Sequence, residues 1–105
     1  RIFEDEAAKM NQTVADVGGG LLIVSQFTLY ADIRRGRRPG FDDAAPPETA
    51  RKLYDFFVNY AKNRHPVVST GVFQAHMKVG LVNEGAVTIY HDSIDKFGVK
   101  SHSVK

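Results

Sequence analysis

The chain has 105 residues, of which 43% are hydrophobic and 25% are charged, and its formal net charge is +2. These values are typical of one globular domain, so we expect a single domain over residues 1–105 and no extended disorder. No run approaches the roughly 18 apolar residues needed to span a bilayer. The chain contains no cysteine, which excludes disulfides and thiolate metal sites and fits a reducing cytosol.

The first 30 residues are predicted to contain one strand. The opening run RIFEDEAAKMN is too charged for a signal peptide, and a start at Arg1 suggests a processed or truncated chain. The polar run that follows Phe3 is typical of a loop, and the glycines at 18–20 predict a turn. The next run, LLIVSQFTLY, is rich in β-branched and aromatic residues and short for a helix. Residues 21–30 are therefore predicted to form a buried strand.

An arginine-rich loop comes next. Residues 31–46 are dense in glycine, proline and charge, which excludes a helix there. A charge run is usually only a solvated face. Arginine is nevertheless the planar, bidentate binder of phosphate, and several arginines on a glycine-containing loop suit a nucleic-acid backbone. We therefore expect phosphate or RNA binding by Arg34, Arg35, Arg37 and Arg38.

From Pro47 the pattern becomes helical. Proline suits the first helical position, Glu48 suits the first turn, and Pro66 ends the helix. Residues at helical spacing form an apolar stripe that is predicted to pack against the core: Ala50, Leu53, Tyr54, Phe57, Val58 and Ala61.

A hairpin is predicted near the C-terminus. HMKVGLVN and AVTIYHD each alternate apolar and polar residues around Asn-Glu-Gly, so residues 76–91 are expected to pair as two strands. The glycine at the tip permits positive φ and also lets a ligand approach the backbone. The turn does not explain why Asn83 and Thr88 flank it. Residues 92–105 are predicted to be a polar tail.

Polar side chains interrupt the apolar run at Ser25, Gln26 and Thr28. A partly exposed strand end explains them as well as a functional site does. Hydroxyls act as nucleophiles only when a base activates them.

A base for these hydroxyls is hard to find, because no histidine pairs with another at metal-ligand spacing and the nucleophile-elbow pattern is absent. One triad can be drawn from Ser25 or Thr28, His76 or His91, and Asp92. A solvated surface position is the preferred interpretation for each histidine: His65, His76, His91 and His102.

Taken together, these segments resemble the D-aminoacyl-tRNA deacylase family. That family is marked by SQFTL on a strand and by Asn-x-Gly-Pro-Val-Thr near the C-terminus, and this chain has SQFTL at 25–29 and NEGAVT at 83–88. The LYDFFV helix, TGVFQAHMKVGLV, Arg38-Pro39 with Phe41, and the opening RIFEDEAAKMN are similar to the family as well. The resemblance extends to about Tyr90, and the portion that members carry before RIF is missing.

The resemblance implies an α/β fold of barrel-like β-sheets with packed helices, incomplete here at the N-terminus because the chain matches the C-terminal two-thirds of the family domain. It implies hydrolysis of the ester that joins a D-amino acid, or a mischarged glycine, to the terminal ribose of tRNA, a chiral proofreading step in translation. It further implies a cytoplasmic homodimer with active sites near the subunit interface, and neither a metal nor a cofactor.

The same resemblance places Ser25, Gln26, Phe27 and Thr28 at the ribose and the scissile carbonyl. Thr28 matches the residue proposed as nucleophile in the family, while an alternative account gives the protein a positioning role and lets a ribose hydroxyl assist. The lack of a histidine base favours positioning, because an unassisted threonine hydroxyl is a poor nucleophile at neutral pH. Backbone N–H groups around Phe27 and Thr28 would stabilise the oxyanion.

The resemblance also implies that the second motif distinguishes D- from L-amino acids. The residues that correspond to this motif are Asn83, Gly85, Ala86 and Thr88, and Met77 corresponds to a residue of the pocket wall. In the family, a cis Gly-Pro bond points main-chain carbonyls into the partner's pocket, where they hold the amino group and exclude an L side chain. This chain has Gly85-Ala86 instead. A cis bond before alanine costs about 2.5–4 kcal/mol, against under about 1 kcal/mol before proline. The sequence leaves both a cis and a trans bond open.

The alternative to an enzyme is a catalytically inactive relative that binds RNA or a protein partner. The missing N-terminal portion and the absent proline favour that alternative. The intact SQFTL favours the enzyme.

Overall fold

The computed structural model describes residues 1–94. Within them lie β1 (Phe3–Glu4), β2 (Met10–Gln12), β3 (Leu21–Ile23), a 3₁₀-helix (Phe27–Tyr30), α1 (Pro47–Lys62) and β4 (Val68–Thr70). The expected α/β class is confirmed, although the strands of this part of the chain form two two-stranded sheets and no closed barrel. No helix among residues 1–94 is long and apolar enough to cross a membrane. The polar tail predicted at 92–105 lies mostly outside the described residues.

The chain divides into two compact units. The first consists of Arg1–Gln26 and Ala45–His76, and the second of Phe27–Ala44 with the described residues from Met77 to Ile94. The division falls inside the SQFTL segment. The two ends of that segment therefore belong to different units.

In the first unit, β1 and β2 form an antiparallel hairpin where the sequence predicted only a loop. Asp5 organises the turn, because its carboxylate accepts hydrogen bonds from the backbone N–H groups of Lys9 (3.0 Å) and Ala7 (2.9 Å) and from the side-chain amide of Asn11 (2.9 Å). These bonds, that from Lys9 above all, hold the pKa of Asp5 below its ordinary value. The hairpin was missed because the residues that form its turn are polar, as loop residues are.

The predicted glycine turn is confirmed, with Gly18 at a φ of 66°. β3 follows it and pairs in parallel with β4, in a register that places Ile23 opposite Thr70. The buried strand predicted over 21–30 is wrong in extent and in burial, since it ends at Ile23, none of its residues is buried, and Phe27–Tyr30 is a 3₁₀-helix. An apolar run shows that a segment packs somewhere, but it does not show where the backbone stops pairing.

The predicted helix is confirmed as α1. It begins at Pro47 with Glu48 in its first turn and ends at Lys62, so charges of each sign lie where the helix dipole favours them. Beyond its end, the guanidinium of Arg64 lies over the ring of Tyr60, 3.5 Å from the centroid. The sequence signals therefore marked the start of the helix correctly, whereas the helix ends at Lys62, before the predicted stop at Pro66.

The apolar stripe of α1 is covered along only one edge. Val58 is the one buried apolar residue in this part of the chain, and its neighbours on the stripe are half-buried: Ala50, Tyr54 and Ala61. Leu53 and Phe57, predicted to pack against the core, remain 62% and 58% exposed. The helical period identified the apolar residues but not which of them a neighbouring element would cover.

In the second unit, the arginine-rich loop is closed by an antiparallel bridge between Asp32 and Gly40. The ring of Phe27 meets the ring of Phe41 edge-on, with centroids 5.0 Å apart. No helix passes through residues 31–46, as predicted. The loop therefore has a fixed base beside the 3₁₀-helix.

The hairpin predicted over residues 76–91 is wrong. The structure has no strand in this segment, and its apolar side chains other than Met77 are exposed, Val82 by 94%. Alternation favours an extended backbone, but a strand also needs a hydrogen-bonded neighbour, and an isolated strand pair is marginal in water. Only the bend at Glu84 and Gly85 agrees with the predicted turn.

Candidate active site and nucleic-acid interface

The SQFTL segment leaves β3 and runs into the 3₁₀-helix. Ser25 is half-buried, whereas Gln26, Phe27 and Thr28 are exposed. Within residues 1–94, neither the Ser25 nor the Thr28 hydroxyl has a hydrogen-bond partner. The first amide groups of a 3₁₀-helix lack acceptors inside that helix, so the N–H groups of Phe27 and Thr28 are able to bind a developing oxyanion.

The triad that the sequence allowed gains no support from the hydrogen bonds that its members make within residues 1–94. The carboxylate of Asp92 accepts hydrogen bonds from the hydroxyl of Tyr90 (3.3 Å) and the N–H of Ile94 (3.0 Å). His76 and His91 are exposed and make no hydrogen bond in the part of the chain that the structure describes. None of these hydrogen bonds therefore pairs a base with a hydroxyl of the SQFTL segment.

His65 corrects the expectation that every histidine is a solvated surface residue. It is half-buried, and its Nε2 donates to the carbonyl oxygen of Gly19 at 2.7 Å. This bond ties the chain beyond α1 to the glycine turn before β3. His102 lies outside the described residues.

The NEGAVT element presents its main chain to solvent. Its mapped residues are all exposed: Asn83, Gly85, Ala86 and Thr88. The peptide bond between Gly85 and Ala86 is cis, which is the first of the two alternatives that the sequence left open. Gly85 has no room for a side chain, since a Cβ there would lie 2.6 Å from the backbone nitrogen of Val87. Met77, predicted on the pocket wall, is half-buried.

Arg34 is held by Asp32 at the base of the arginine-rich loop. Its Nε donates to Oδ1 of Asp32 (2.9 Å), its Nη2 donates to Oδ2 (2.8 Å), and its backbone N–H donates to Oδ1 (3.0 Å). These hydrogen bonds hold the pKa of Asp32 well below its usual range and raise the pKa of Arg34. Such a bidentate pair fixes the guanidinium in one orientation.

The other three arginines of the loop are not engaged in this way. Among the described residues, Arg35, Arg37 and Arg38 have neither a hydrogen bond nor an ion pair. A pocket of about 610 Å³ opens along the loop, lined by Arg35 and Arg38 and by the carboxylates of Asp42 and Asp43. No group of three or more His, Asp or Glu side chains within residues 1–94 is arranged to hold a metal ion.

Sequence reasoning missed the role of Tyr54. Its hydroxyl donates to the carbonyl oxygen of Ile23 at 2.9 Å, one residue short of the start of the SQFTL segment. The one signal in the sequence was a tyrosine within an apolar helical stripe, since a covered tyrosine usually finds a partner for its hydroxyl. The identity of that partner depends on the tertiary fold.

Comparisons with known proteins agree with these observations. The family model for D-Tyr-tRNA(Tyr) deacylase matches residues 1–92. A D-aminoacyl-tRNA deacylase of Thermomicrobium roseum is 59% identical over 98 residues, which cover 93% of this chain and 64% of the relative. One of Variovorax paradoxus is 61% identical over 89 residues, covering 85% and 61%.

A solved structure titled c-Myc DNA Unwinding Element Binding Protein is similar in fold as well. It is 39% identical, with a TM-score of 0.73 over 85% of this chain and 61% of that chain. The chain therefore spans about three fifths of the length of the relatives it matches. The matched residues 1–92 include both SQFTL and NEGAVT, and the chain belongs to the D-Tyr-tRNA(Tyr) deacylase family.

Proposed function

We propose that this protein hydrolyses the ester bond of D-aminoacyl-tRNA, and of glycyl-tRNA mischarged on a non-cognate tRNA, as a proofreading step in translation. The observation that carries the proposal is the occurrence of SQFTL and NEGAVT, in order, in a chain about 60% identical to relatives named D-aminoacyl-tRNA deacylase. In the reaction, water attacks the ester carbonyl and the bond to the ribose oxygen breaks. The ribose oxygen takes a proton, and the free amino acid leaves.

The SQFTL segment would hold the reacting ester. Thr28 is exposed and without a base, which supports a positioning role with assistance from a ribose hydroxyl rather than a threonine nucleophile. The N–H groups of Phe27 and Thr28 would stabilise the oxyanion, and a donor of this kind contributes roughly 3 kcal/mol in other enzymes. Ser25 and Gln26 would contact the terminal ribose.

The NEGAVT element would select against L-amino acids. Main-chain carbonyls suit this task because they do not move aside as a side chain does, and the crowding of Gly85 against Val87 leaves only main chain at that point. We assign this element, with Met77 on the pocket wall, to the amino group and side chain of the substrate. The residues so assigned are Asn83, Gly85, Ala86 and Thr88.

The arginine-rich loop would contact the tRNA backbone. Arg35, Arg37 and Arg38 make no hydrogen bond or ion pair among the described residues and are therefore available to phosphates. Arg34 is engaged by Asp32, so we assign it to ordering the loop.

We further propose that residues 1–105 are the C-terminal two-thirds of one family domain, whose complete sheets are barrel-like. The protein would act as a homodimer in the cytoplasm, where aminoacyl-tRNA is used, with each active site near the subunit interface.

A deacylation assay tests the proposed function. The natural full-length protein is incubated with D-Tyr-tRNA and with L-Tyr-tRNA, and the release of tyrosine is followed. We expect hydrolysis of the D ester with the L ester spared. Equal rates for both would contradict the assignment of chiral selection, and no hydrolysis of either would overturn the enzymatic function.

Nucleic-acid binding without catalysis is the second candidate function. It is favoured by the similar solved structure, whose title names binding to a DNA unwinding element. An inactive protein that retains salt-dependent binding to nucleic acid would support this candidate instead.

A further inference from the structure

The carbonyl oxygen of Ile23 is held by two donors. It accepts a ladder hydrogen bond from the N–H of Gly71 at 3.0 Å and a second bond from the hydroxyl of Tyr54 at 2.9 Å. A carbonyl oxygen has two lone pairs, so both of its acceptor positions are used. Ile23 is the last residue of β3, and Ser25 follows it by one intervening residue.

Tyr54 is itself fixed by its surroundings. It lies on α1, where its ring is half-buried and packs against the ring of Phe73, with centroids 5.7 Å apart. The guanidinium of Arg51 covers Phe73, 5.4 Å from its centroid. The hydroxyl is therefore presented to Ile23 from a side chain whose orientation is determined by packing.

We infer that Tyr54 is a positioning residue for the start of the SQFTL segment. β3 has only one neighbouring strand among the described residues, β4, so the ladder alone restrains the end of β3 from one side. The tyrosine hydroxyl adds a restraint from the helix at the residue where the chain leaves the sheet. Ser25 and Gln26 are thereby held in one direction as they emerge. This inference rests on the proposed function, in which those two residues contact the terminal ribose.

The test is Tyr54→Phe in the natural full-length protein, because this change removes the hydroxyl and keeps the ring against Phe73. The matched control is Tyr60→Phe on the same helix, where the hydroxyl has no partner among residues 1–94. We expect kcat for D-Tyr-tRNA to fall about 3- to 10-fold in Tyr54→Phe, because a misplaced contact lowers the rate of the chemical step. KM should change less than kcat, because the arginine-rich loop that would bind the rest of the tRNA is untouched.

A spectroscopic measurement makes the result independent of activity. In Tyr54→Phe the carbonyl carbon resonance of Ile23 and the amide resonance of Ser25 should shift, and in Tyr60→Phe both should stay in place. A wild-type kcat in Tyr54→Phe, or an unmoved Ile23 resonance, would overturn the inference. If the wild-type protein itself does not deacylate, the proposed function fails, and the two resonances alone then decide whether Tyr54 positions the segment.

Discussion

Thr28 combines exposure with the absence of a base. Its hydroxyl has no hydrogen-bond partner within residues 1–94, and the candidate histidines His76 and His91 make no hydrogen bond in the same part of the chain. A threonine hydroxyl without a base is almost fully protonated at neutral pH and therefore reacts slowly. These features favour a residue that orients the ester over one that attacks it.

Replacing Thr28 by alanine separates the two roles. We expect Thr28→Ala to lower the rate of D-Tyr-tRNA deacylation about 10- to 100-fold, because orientation is lost while water and the ribose hydroxyl remain. Thr49→Ala, an exposed threonine of α1, is the control and should retain the wild-type rate. Single-turnover deacylation rates of the wild type and the two variants are compared. A loss below detection would point to a threonine nucleophile, and an unchanged rate would remove Thr28 from the site.

At the scale of elements, the arginine-rich loop shows how four similar residues divide into two roles. Arg34 and Asp32 neutralise each other in a bidentate pair, whereas the other three arginines carry charges that no carboxylate contacts among the described residues. The pKa of Asp32 is lowered, so the pair persists as pH falls and is lost only when pH approaches that lowered value. The loop should therefore keep its base across the whole range in which tRNA is stable.

The salt dependence of tRNA binding tests this division. Arg35→Gln, Arg37→Gln and Arg38→Gln should each reduce the slope of log K against log salt by about 0.7 to 0.9, the value for one lost phosphate contact. The double change Asp32→Asn with Arg34→Gln keeps the net charge and should leave the slope unchanged. Filter binding of tRNA at several salt concentrations measures this slope. A slope reduced by the double change would place Arg34 on a phosphate.

The elements also show how far sequence reasoning reached. α1 was predicted because period and end signals agree at Pro47 and Pro66. The hairpin over 76–91 was predicted wrongly, because an alternating pattern favours an extended backbone without showing that a second strand pairs with it. β3 was predicted too long, because the composition of a run does not show at which residue the strand stops pairing. The parallel pairing of β3 with β4 was not predicted, since it joins residues far apart in the chain.

The candidate site residues stay predictions, and the contacts around them were not predicted. SQFTL, NEGAVT and the arginines were all identified from the sequence, because motifs are local. The Asp32–Arg34 pair, the bond from His65 to Gly19 and the bond from Tyr54 to Ile23 were not, because each depends on backbone geometry or on tertiary proximity. The sequence therefore named candidate residues, whereas the contacts that support them come from the structure.

At the scale of the whole molecule, little apolar surface is covered. Val58 is the one buried apolar residue among residues 1–94, while Leu81, Val82 and Ile89 are largely exposed. Exposed apolar surface of this extent usually marks an interface. We propose that a second copy of the chain covers part of it, in line with the homodimer that the sequence resemblance implies.

We therefore expect a homodimer. Light scattering on the purified protein at micromolar concentration should give twice the mass of one chain. Val82→Glu should shift the equilibrium toward monomer if the exposed segment 76–91 forms the interface, while Glu6→Gln, a change at an exposed charged residue of the β1–β2 turn, should not. The mass of a single chain in the wild type would contradict the homodimer.

The parallel pairing of β3 with β4 has a consequence for synthesis on the ribosome. Thr70 lies opposite Ile23 and follows it by roughly 45 residues, which take about 2 to 9 seconds to add at 5 to 20 residues per second. Both strands of the β1–β2 hairpin precede β3 in the chain, whereas the partner of β3 is made only after the arginine-rich loop and the whole of α1. During that interval its unpaired edge is open to other nascent chains. The speed of translation, rather than the stability of the finished fold, sets how long this edge is exposed.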